Sequence, residues 1–437
     1  MQTQPRTYLF VLWEGGGNVP PMLGLARRLV ECGHTVRVIS DPCNEREALA
    51  AGATFVPYTS APHRHDKRAA STIVNDYAAA SPGAALRVWL DAIACGPALA
   101  YAQDVLAELE RQPADVVVVN ELLFGGLFAA EKAGVPCAMV IPGTYNLPAP
   151  GMPPIGMLPL SGPVGWLRDR LVRFMVERLL AAGMPALQNA RHALGLAPLD
   201  SPVAYIERLE RVLVLTSPAF EFPARFPANV RLVGPILDDP DWAVPWQSPW
   251  PADHPDPLVV VGFSTTFQDH QTRVQQVIDA LADWRVRGLV TLGPALDIAA
   301  FHTPANVVLC ESAPHAQVFP YASAVVTHAG HGTVIRALAH GVPMVCLPLG
   351  RDQPGNAARV AFHGAGIRLT AKAPVEAIRQ AIQRVVIEPQ FRRSAQLLGR
   401  RISQSARART AIDELEQLAA PPRAADTSPG VAARLAA

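Results

Sequence analysis

Short apolar runs alternate with amphipathic segments along most of the chain. The first run, YLFVLW at residues 8–13, leads through a glycine-rich turn into an amphipathic segment at residues 21–32. This pattern predicts a strand, a loop and a helix. Further apolar runs at residues 35–40, 115–120 and 137–142 are separated by helical patterns. Continuous Val and Ile runs that alternate with helices indicate a parallel sheet that is buried on both faces.

A second series of strand-like runs follows a segment that is crowded with Pro and Trp. Its runs lie at residues 258–264, 288–293, 306–310, 323–328 and 343–348. Two such series predict an α/β protein with two doubly wound, Rossmann-like domains that face each other across a cleft. Ligands are expected at the carboxyl ends of the strands.

These two series predict how the chain divides. We assign residues 1–217 to an N-terminal domain, residues 218–257 to an interdomain linker and residues 258–420 to a C-terminal domain. The small, Pro-containing residues 421–437 are expected to form a disordered tail.

The amino-acid composition argues against nucleic acids and membranes as partners. Only 17% of the residues are charged, against about 25% in typical soluble proteins, and 38 Lys and Arg nearly cancel 37 Asp and Glu. No summed field is expected to attract nucleic acid. The six cysteines include no CxxC pair, and no apolar stretch approaches the length of a membrane span. We therefore expect a cytoplasmic protein without a membrane span.

The densest chemical signal lies at residues 325–360. A strand ends at His328, the chain turns through residues 329–332, and a helix begins near Thr333. Such a turn aims free backbone N–H groups and the positive end of a helix dipole at one point, which suits a diphosphate. Gly330 and Gly332 allow close approach, and the His328 imidazole supplies a hydrogen bond.

A polar turn follows the next strand. Asp352 and Gln353 carry acceptor and donor groups that suit sugar hydroxyls, and Asn356 is a candidate cap for the following helix. No cluster of metal-binding carboxylates accompanies the two turns in the sequence, so we expect neither a metal nor another cofactor.

The segment HAGHGT, with RDQPGN behind it, resembles the donor-binding box of the family 1 nucleotide-sugar glycosyltransferases. The resemblance covers nearly the whole chain. It implies the GT-B fold, an acceptor-binding N-terminal domain and a C-terminal domain that binds a nucleotide-diphosphate sugar as co-substrate. It also implies that His328 and the amides of Gly332 and Thr333 contact the diphosphate. The candidate donor-binding residues are Ser264, Thr265, Ser312, Ala313, His328, Gly330, His331, Gly332, Thr333, Asp352 and Gln353.

The N-terminal half departs from the family pattern. In the family, a His in the first loop takes the proton from the acceptor, and a carboxylate orients that His. The matching positions here are Asn18 and Asn120, and an amide cannot act as a general base near neutral pH.

Another group must then serve as the base. Glu14 on the same loop is the first candidate, followed by Glu121 and then by His63 or His65. A carboxylate in an apolar cleft gains basicity by desolvation.

Two further departures concern the nucleotide. Ser312 stands where many family members place a Trp that stacks on the base, and Arg336 stands where many place a Glu that holds the ribose hydroxyls. Without that carboxylate, TDP-deoxysugars become as plausible as UDP-hexoses.

The resulting hypothesis is a metal-independent, inverting glycosyltransferase of the hexosyltransferase class. Its expected acceptor is a hydrophobic natural product, such as a macrolide antibiotic, because residues 147–163 are rich in Pro and Met and supply apolar walls. Two alternatives stay open. One is a sugar-nucleotide epimerase, and the other is a non-catalytic sugar-nucleotide-binding or helper protein, which Asn18 and Asn120 favour.

Overall fold

The structure, a computed structural model, describes residues 4–238, 246–251, 253–264, 268–293 and 296–420. Its N-terminal sheet contains the strands β1 (Thr7–Val11), β2 (Thr35–Ser40), β3 (Thr54–Pro57), β4 (Val116–Asn120), β5 (Cys137–Ile141), β6 (Arg211–Val214) and β7 (Val230–Leu232). All neighbouring strands are parallel, in the order β3-β2-β1-β4-β5-β6-β7.

The C-terminal sheet has the same character. Its strands are β8 (Leu258–Gly262), β9 (Arg287–Thr291), β10 (Val307–Cys310), β11 (Ala322–Thr327), β12 (Met344–Cys346) and β13 (Gly366–Arg368). They are parallel, in the order β10-β9-β8-β11-β12-β13.

Helices cover both faces of each sheet. They are α1 (Val19–Glu31), α2 (Glu45–Ala50), α3 (Pro82–Trp89), α4 (Ala98–Arg111), α5 (Phe124–Ala133), α6 (Gly162–Leu180), α7 (Met184–Leu194), α8 (Pro202–Arg208), α9 (Gln271–Leu281), α10 (His315–Val318), α11 (His331–Ala339), α12 (Gln353–Phe362), α13 (Val375–Ile387), α14 (Pro389–Arg407) and α15 (Thr410–Leu418).

The apolar runs form buried strands for a simple geometric reason. Successive side chains of a strand point to opposite faces of the sheet. In β1, Tyr8 and Phe10 therefore enter the core on one side of the sheet, whereas Leu9 and Val11 enter the core on the other side. The predicted pair of doubly wound α/β domains is confirmed.

The ends of the N-terminal half differ from the predicted boundaries. Strand β7 pairs with β6, although it lies inside the segment predicted as a linker. Helix α15 returns from the C-terminal half and buries Ile412 and Leu415 in the core beside β1. Arg211 on β6 also pairs with Glu414 at 2.7 Å. The N-terminal sheet thus extends beyond residue 217, because the chain continues to pair there. The predicted tail lies outside the described residues.

One expectation about apolar stretches needs correction. The helical run Gly83–Arg111 is long and apolar enough to cross a membrane by length and composition. This is weak evidence for a span, since core helices of other proteins pass the same criterion. Ile93, Ala98 and Tyr101 of this run lie in the core of the N-terminal half.

The packing of α15 on the N-terminal core should contribute to the stability of the protein. Leu415 is fully buried, so Leu415→Ala should lower the free energy of unfolding by about 2–5 kcal/mol, through lost apolar contacts and a residual cavity. Leu397→Ala, at a side chain that is 52% exposed, is the matched control and should change it by less than about 0.5 kcal/mol. Chemical denaturation of both variants measures this, and equal stabilities would show that α15 does not pack there.

Candidate functional site

The turn between β11 and α11 leaves a set of amides without a partner in the helix. Ala329 adopts a left-handed backbone conformation with φ of 70°, and Gly330 is the cap from which α11 starts. Among the described side chains, none caps this helix. The first N–H groups of a helix have no acceptor within it. They therefore form a site suited to an anion.

His328 lies directly beside these amides. Its ring is buried and stacks on Phe263, with the ring centroids 6.0 Å apart. A Cβ on Gly330 would lie 2.6 Å from His328 Nε2, so only glycine permits this position of the ring. Burial, helped by the nearby His270, lowers the pKa of His328 to about 3. The ring is therefore neutral near pH 7 and acts through hydrogen bonding rather than through charge.

His331 does not join His328 at the turn with its side chain. Its Nε2 lies 3.2 Å from Thr216 Oγ1 of the N-terminal half, and burial lowers the pKa of His331 to about 3. We therefore expect the predicted donor contact of this residue to involve its backbone N–H. The side chain instead joins the two halves, because it projects from the first turn of α11 toward the end of β6.

A second turn, between β12 and α12, presents Asp352. Arg351 before it has φ of 58°, and Asp352 is the residue from which α12 starts. Asn356 lies inside α12 rather than at its start, which corrects the predicted cap. Its Nδ2 donates to Asp352 Oδ2 at 2.7 Å and to Ala329 O at 3.0 Å. Asn356 thus fixes Asp352 relative to the His328 turn.

Asn356 also reaches the N-terminal half. Thr144 Oγ1 donates to Asn356 Oδ1 at 2.9 Å. One buried amide therefore connects both C-terminal turns with the loop after β5. The sequence offered only its helix position as a signal.

Gln353, the first residue of α12, links the Asp352 turn to neighbouring loops through its side-chain amide. Its Oε1 accepts from the backbone N–H groups of Leu349 and Gly350, at 2.8 and 3.1 Å. Its Nε2 donates to Gln268, whose own amide donates to Ser264 Oγ at 2.6 Å. A polar chain thus links the Asp352 turn to the end of β8. Thr265, predicted beside Ser264, lies outside the described residues.

The two asparagines at the family's dyad positions hold a loop instead of each other. Asn18 Oδ1 accepts from Gly15 N at 3.1 Å, and Asn18 Nδ2 donates to Trp13 O at 2.9 Å. Asn120 Oδ1 accepts from Trp13 Nε1 at 3.2 Å and from Leu122 N at 3.3 Å. Both side chains therefore support the loop around Trp13.

Glu14 is turned back into that loop. Its Oε1 accepts from Gly16 N at 2.7 Å, and its Oε2 lies 3.5 Å from the Lys67 ammonium. The side chain is only 3% exposed. This arrangement favours a structural part for Glu14 over the catalytic one that the sequence suggested first.

The two candidate histidines form a separate small cluster. His63 Nδ1 lies 2.8 Å from Ala61 O, and the rings of His63 and His65 meet edge to face at 5.0 Å. No described contact connects either ring with the two C-terminal turns.

Glu121 stands where the two halves meet. It follows β4 directly, and its backbone N–H donates to Val140 O at 3.0 Å. Burial, together with the negative charge of Asp352, raises the pKa of Glu121 to about 8. Burial likewise raises the pKa of Asp352. Two carboxyl groups that influence each other across a cleft resist ionising together, so Glu121 becomes a stronger base than an ordinary glutamate.

An ion pair that the sequence analysis missed crosses the cleft beside these carboxyl groups. Arg351 donates to both oxygens of Asp76, each at 2.8 Å, and its guanidinium lies over the Trp89 ring at 5.2 Å. Trp89 in turn meets Trp13 edge to face at 5.5 Å. A continuous series of contacts therefore connects the Asp352 turn with the loop around Trp13, which Asn120 supports. No pattern in the sequence indicates this pairing, since the partners are 275 positions apart.

The residues predicted near the nucleotide lie in the loop after β10 and on α11. Ser312 is exposed and Ala313 is partly buried, both in the loop after β10. Arg336 extends back along α11, with Nη1 3.4 Å from Gly332 O and Nη2 3.4 Å from Asp238 O. A cation therefore stands beside the amide-rich turn. Over the described ranges, no group of three or more His, Cys, Asp or Glu side chains is arranged to hold a metal.

Comparison with known proteins adds an independent line of evidence. Residues 275–418 match the family described as erythromycin biosynthesis protein CIII-like, C-terminal domain. The chain is 31% identical over 390 residues to 4'-demethylrebeccamycin synthase of Lentzea aerocolonigenes, which covers 86% of this chain and 91% of that protein.

Solved structures share the fold over almost the full length. The calicheamicin glycosyltransferase CalG4 superposes with a TM-score of 0.73 at 25% identity, covering 95% of this chain and 98% of that one. The glycosyltransferase VinC, solved in complex with DTDP, superposes with a TM-score of 0.68 at 20% identity, covering 94% and 99%. The likeness to VinC concerns the fold alone.

The close fit of His328 against Gly330 can be tested by binding. His328→Ala should weaken TDP and UDP binding about tenfold to a hundredfold, the value of one hydrogen bond to a charged group. Gly330→Ala should also weaken it, because the new methyl group displaces the ring. Gly17→Ala is the control, since a Cβ there meets nothing within 4 Å. Titration calorimetry decides, and unchanged affinity in His328→Ala would remove this residue from the diphosphate site.

Proposed function

Because the chain belongs to the natural-product glycosyltransferases of family 1, with the GT-B fold, we propose that it catalyses an inverting transfer. The sugar moves from a nucleotide-diphosphate sugar to an oxygen of a hydrophobic acceptor. The observation that carries this proposal is the position of Glu121 directly after β4, where the negative charge of Asp352 at the start of α12 acts on it.

Glu121 is the proposed general base. Its carboxylate takes the proton of the acceptor hydroxyl while the acceptor oxygen attacks the anomeric carbon. The bond between that carbon and the diphosphate oxygen breaks on the opposite side, and the nucleoside diphosphate leaves. A base is most useful when its pKa lies near the working pH, which the raised pKa of Glu121 satisfies. The contacts of Glu14 with Gly16 and Lys67 favour Glu121 over it.

The proposed donor site follows from the two C-terminal turns. The amides of His331, Gly332 and Thr333 and the ring of His328 stabilise the charge that develops on the departing diphosphate. Asp352 holds sugar hydroxyls in the position that Asn356 fixes. We propose that these groups suffice without a metal ion, and that turnover persists in a chelator.

The proposed acceptor site lies under residues 147–163. Within this stretch Met152 is buried with its Sδ 3.7 Å from Arg359, and a Cβ on Gly355 would lie 3.7 Å from Ile155 Cγ2. Both contacts place apolar side chains against α12, whose first turn carries the sugar-binding residues. An apolar acceptor beside the sugar fits this wall. The names of the similar proteins, a rebeccamycin synthase and a calicheamicin glycosyltransferase, support an antibiotic-like natural product.

The alternatives gain no support from specific contacts. An epimerase has no use for an apolar acceptor wall, and Glu121 supplies the base whose loss at residues 18 and 120 suggested a helper protein. A cytoplasmic location stays an expectation from the sequence.

Exchange of the proposed base makes the sharpest activity test. Glu121→Gln should lower kcat about 10²- to 10⁴-fold, the usual contribution of a general base, with TDP affinity unchanged. In the unsubstituted protein, kcat/KM should rise with pH and level off above about 8, since the carboxyl group must lose its proton to act. Product is measured by mass spectrometry with TDP- and UDP-sugars and a panel of phenols and macrolides.

Glu14→Gln is the matched control for this exchange. It should keep most of the rate and the same pH profile if the protein folds. A Glu121→Gln variant within a few-fold of the parent would exclude Glu121 as the base.

Arg336 leads to a prediction about the nucleotide. We propose that the site lacks strong selection for a ribose, because a cation stands where many family members place the ribose-binding Glu. TDP and UDP should then bind within about tenfold of each other, and Arg336→Glu should shift the ratio toward UDP by about tenfold, or roughly 1.4 kcal/mol. Competition between the two nucleotides measures the ratio, and a large preference for UDP in the parent would contradict it.

A further inference from the structure

The segment from Ile155 to Leu179 exposes an unusual amount of apolar surface. Eleven of the 18 exposed large hydrophobic side chains among the described residues belong to it. They are Ile155, Met157, Leu158, Leu160, Val164, Trp166, Leu167, Leu171, Phe174, Met175 and Leu179. Contiguous exposed apolar surface of this kind marks an interaction site.

Helix α6 carries most of this surface on one side. Val164, Leu167, Leu171 and Phe174 follow the spacing that places side chains on one helix face, and each is at least 58% exposed. The helix is attached to the N-terminal core at its C-terminal end, where Leu180 is partly buried. The helix is thus held to the protein with an apolar face directed outward. We call this face, together with residues 155–160, the apolar ledge.

The charges around the apolar ledge are not balanced. Arg168 pairs with Asp169 and Arg173 pairs with Glu177, both at 2.8 Å. Two cations remain on α6 for which the described residues provide no carboxylate, and each lies over an aromatic ring of the same helix. Arg170 is 5.4 Å from the Trp166 ring centroid, and Arg178 is 5.9 Å from that of Phe174.

We propose that the apolar ledge docks the protein on an anionic lipid surface. A helix with Trp, Phe and Leu on its exposed face and flanking arginines is the arrangement that lies in a membrane interface. Arginine stems cover apolar surface while their guanidinium groups reach the lipid phosphates. The unbalanced pair Arg170 and Arg178 complements an anionic bilayer.

The charge pattern disfavours a second copy of the chain as the occupant. Pairing two such faces would bring four guanidinium groups into one apolar interface. No carboxylate of α6 would be free to balance them, since Asp169 and Glu177 are already paired. Burying uncompensated charge in this way is costly.

The position of the apolar ledge connects it with the cleft. A Cβ on Gly156 would lie 2.9 Å from Pro354 Cβ, and Arg368 donates to Gly156 O. The ledge therefore borders the helix that carries the proposed sugar-binding residues. Docking would orient the acceptor side of the cleft toward the bilayer, so that an apolar acceptor can enter the cleft from the lipid. Only this last step rests on the proposed function.

Vesicle sedimentation of the full chain tests the docking itself, without sugar nucleotide. Binding to vesicles of equal parts phosphatidylglycerol and phosphatidylcholine should exceed binding to pure phosphatidylcholine at least tenfold and weaken with salt. The double variant Leu167→Glu with Leu171→Glu should lose at least tenfold in affinity. Leu397→Glu, at an exposed leucine on α14, is the matched control and should bind as the parent does.

Three outcomes would overturn the proposal. The parent could fail to bind anionic vesicles, the double variant could bind as well as Leu397→Glu, or light scattering could show a lipid-free dimer that the double variant dissociates. Turnover of a water-soluble phenol should be the same in the double variant and the parent. Failure of all forms to turn over any acceptor would count against the proposed function, and the vesicle result would stand apart from it.

Discussion

Unpaired amide N–H groups at the start of α11 are the feature around which the C-terminal half is arranged. They need an acceptor that the helix itself does not supply. Ala329 holds the backbone there in a left-handed conformation, which costs about 1–3 kcal/mol and persists only when its surroundings enforce it. The enforcing contact is visible, since Asn356 Nδ2 donates to Ala329 O. A strained turn that is fixed from outside and leaves donors exposed is organised to receive an anion.

Several contacts between the halves keep this turn opposite the N-terminal loops. One of them is a buried ion pair, in which Arg359 on α12 lies 2.6 Å from Glu221. Arg359 also donates a hydrogen bond to Tyr145 O. Arg351 and Asp76 pair nearer the cleft, next to Asp352. Since Arg351 and Arg359 lie at the start and in the second turn of α12, a shift between the halves would displace the proposed donor site. The influence of Asp352 on Glu121 thus depends on how these contacts hold the two halves together.

The sequence predicted much of this architecture and less of the chemistry. Uninterrupted Val and Ile runs gave the strands, and the spacing of HAGHGT before RDQPGN located the two C-terminal turns. The directions in which individual side chains point could not be predicted from these patterns. The loop shared with Asn18 favours Glu14 over Glu121, whereas in the structure Glu14 is buried and lies 3.5 Å from Lys67, 53 residues away. His331 is predicted as a donor-binding residue from its place in HAGHGT, whereas its Nε2 lies 3.2 Å from Thr216 Oγ1 of the other half. Contacts between segments that are distant in the sequence produce no periodic pattern of hydrophobic and polar residues, so the sequence does not indicate them.

The most direct measurement is a crystal structure with a bound sugar nucleotide. The diphosphate should lie within about 3 Å of the His328 ring and of the Gly332 and Thr333 amides, which is hydrogen-bond distance for such groups. The sugar should lie against Asp352, with its anomeric carbon facing Glu121. A nucleotide bound away from the α11 turn, or an anomeric carbon remote from Glu121, would contradict the account.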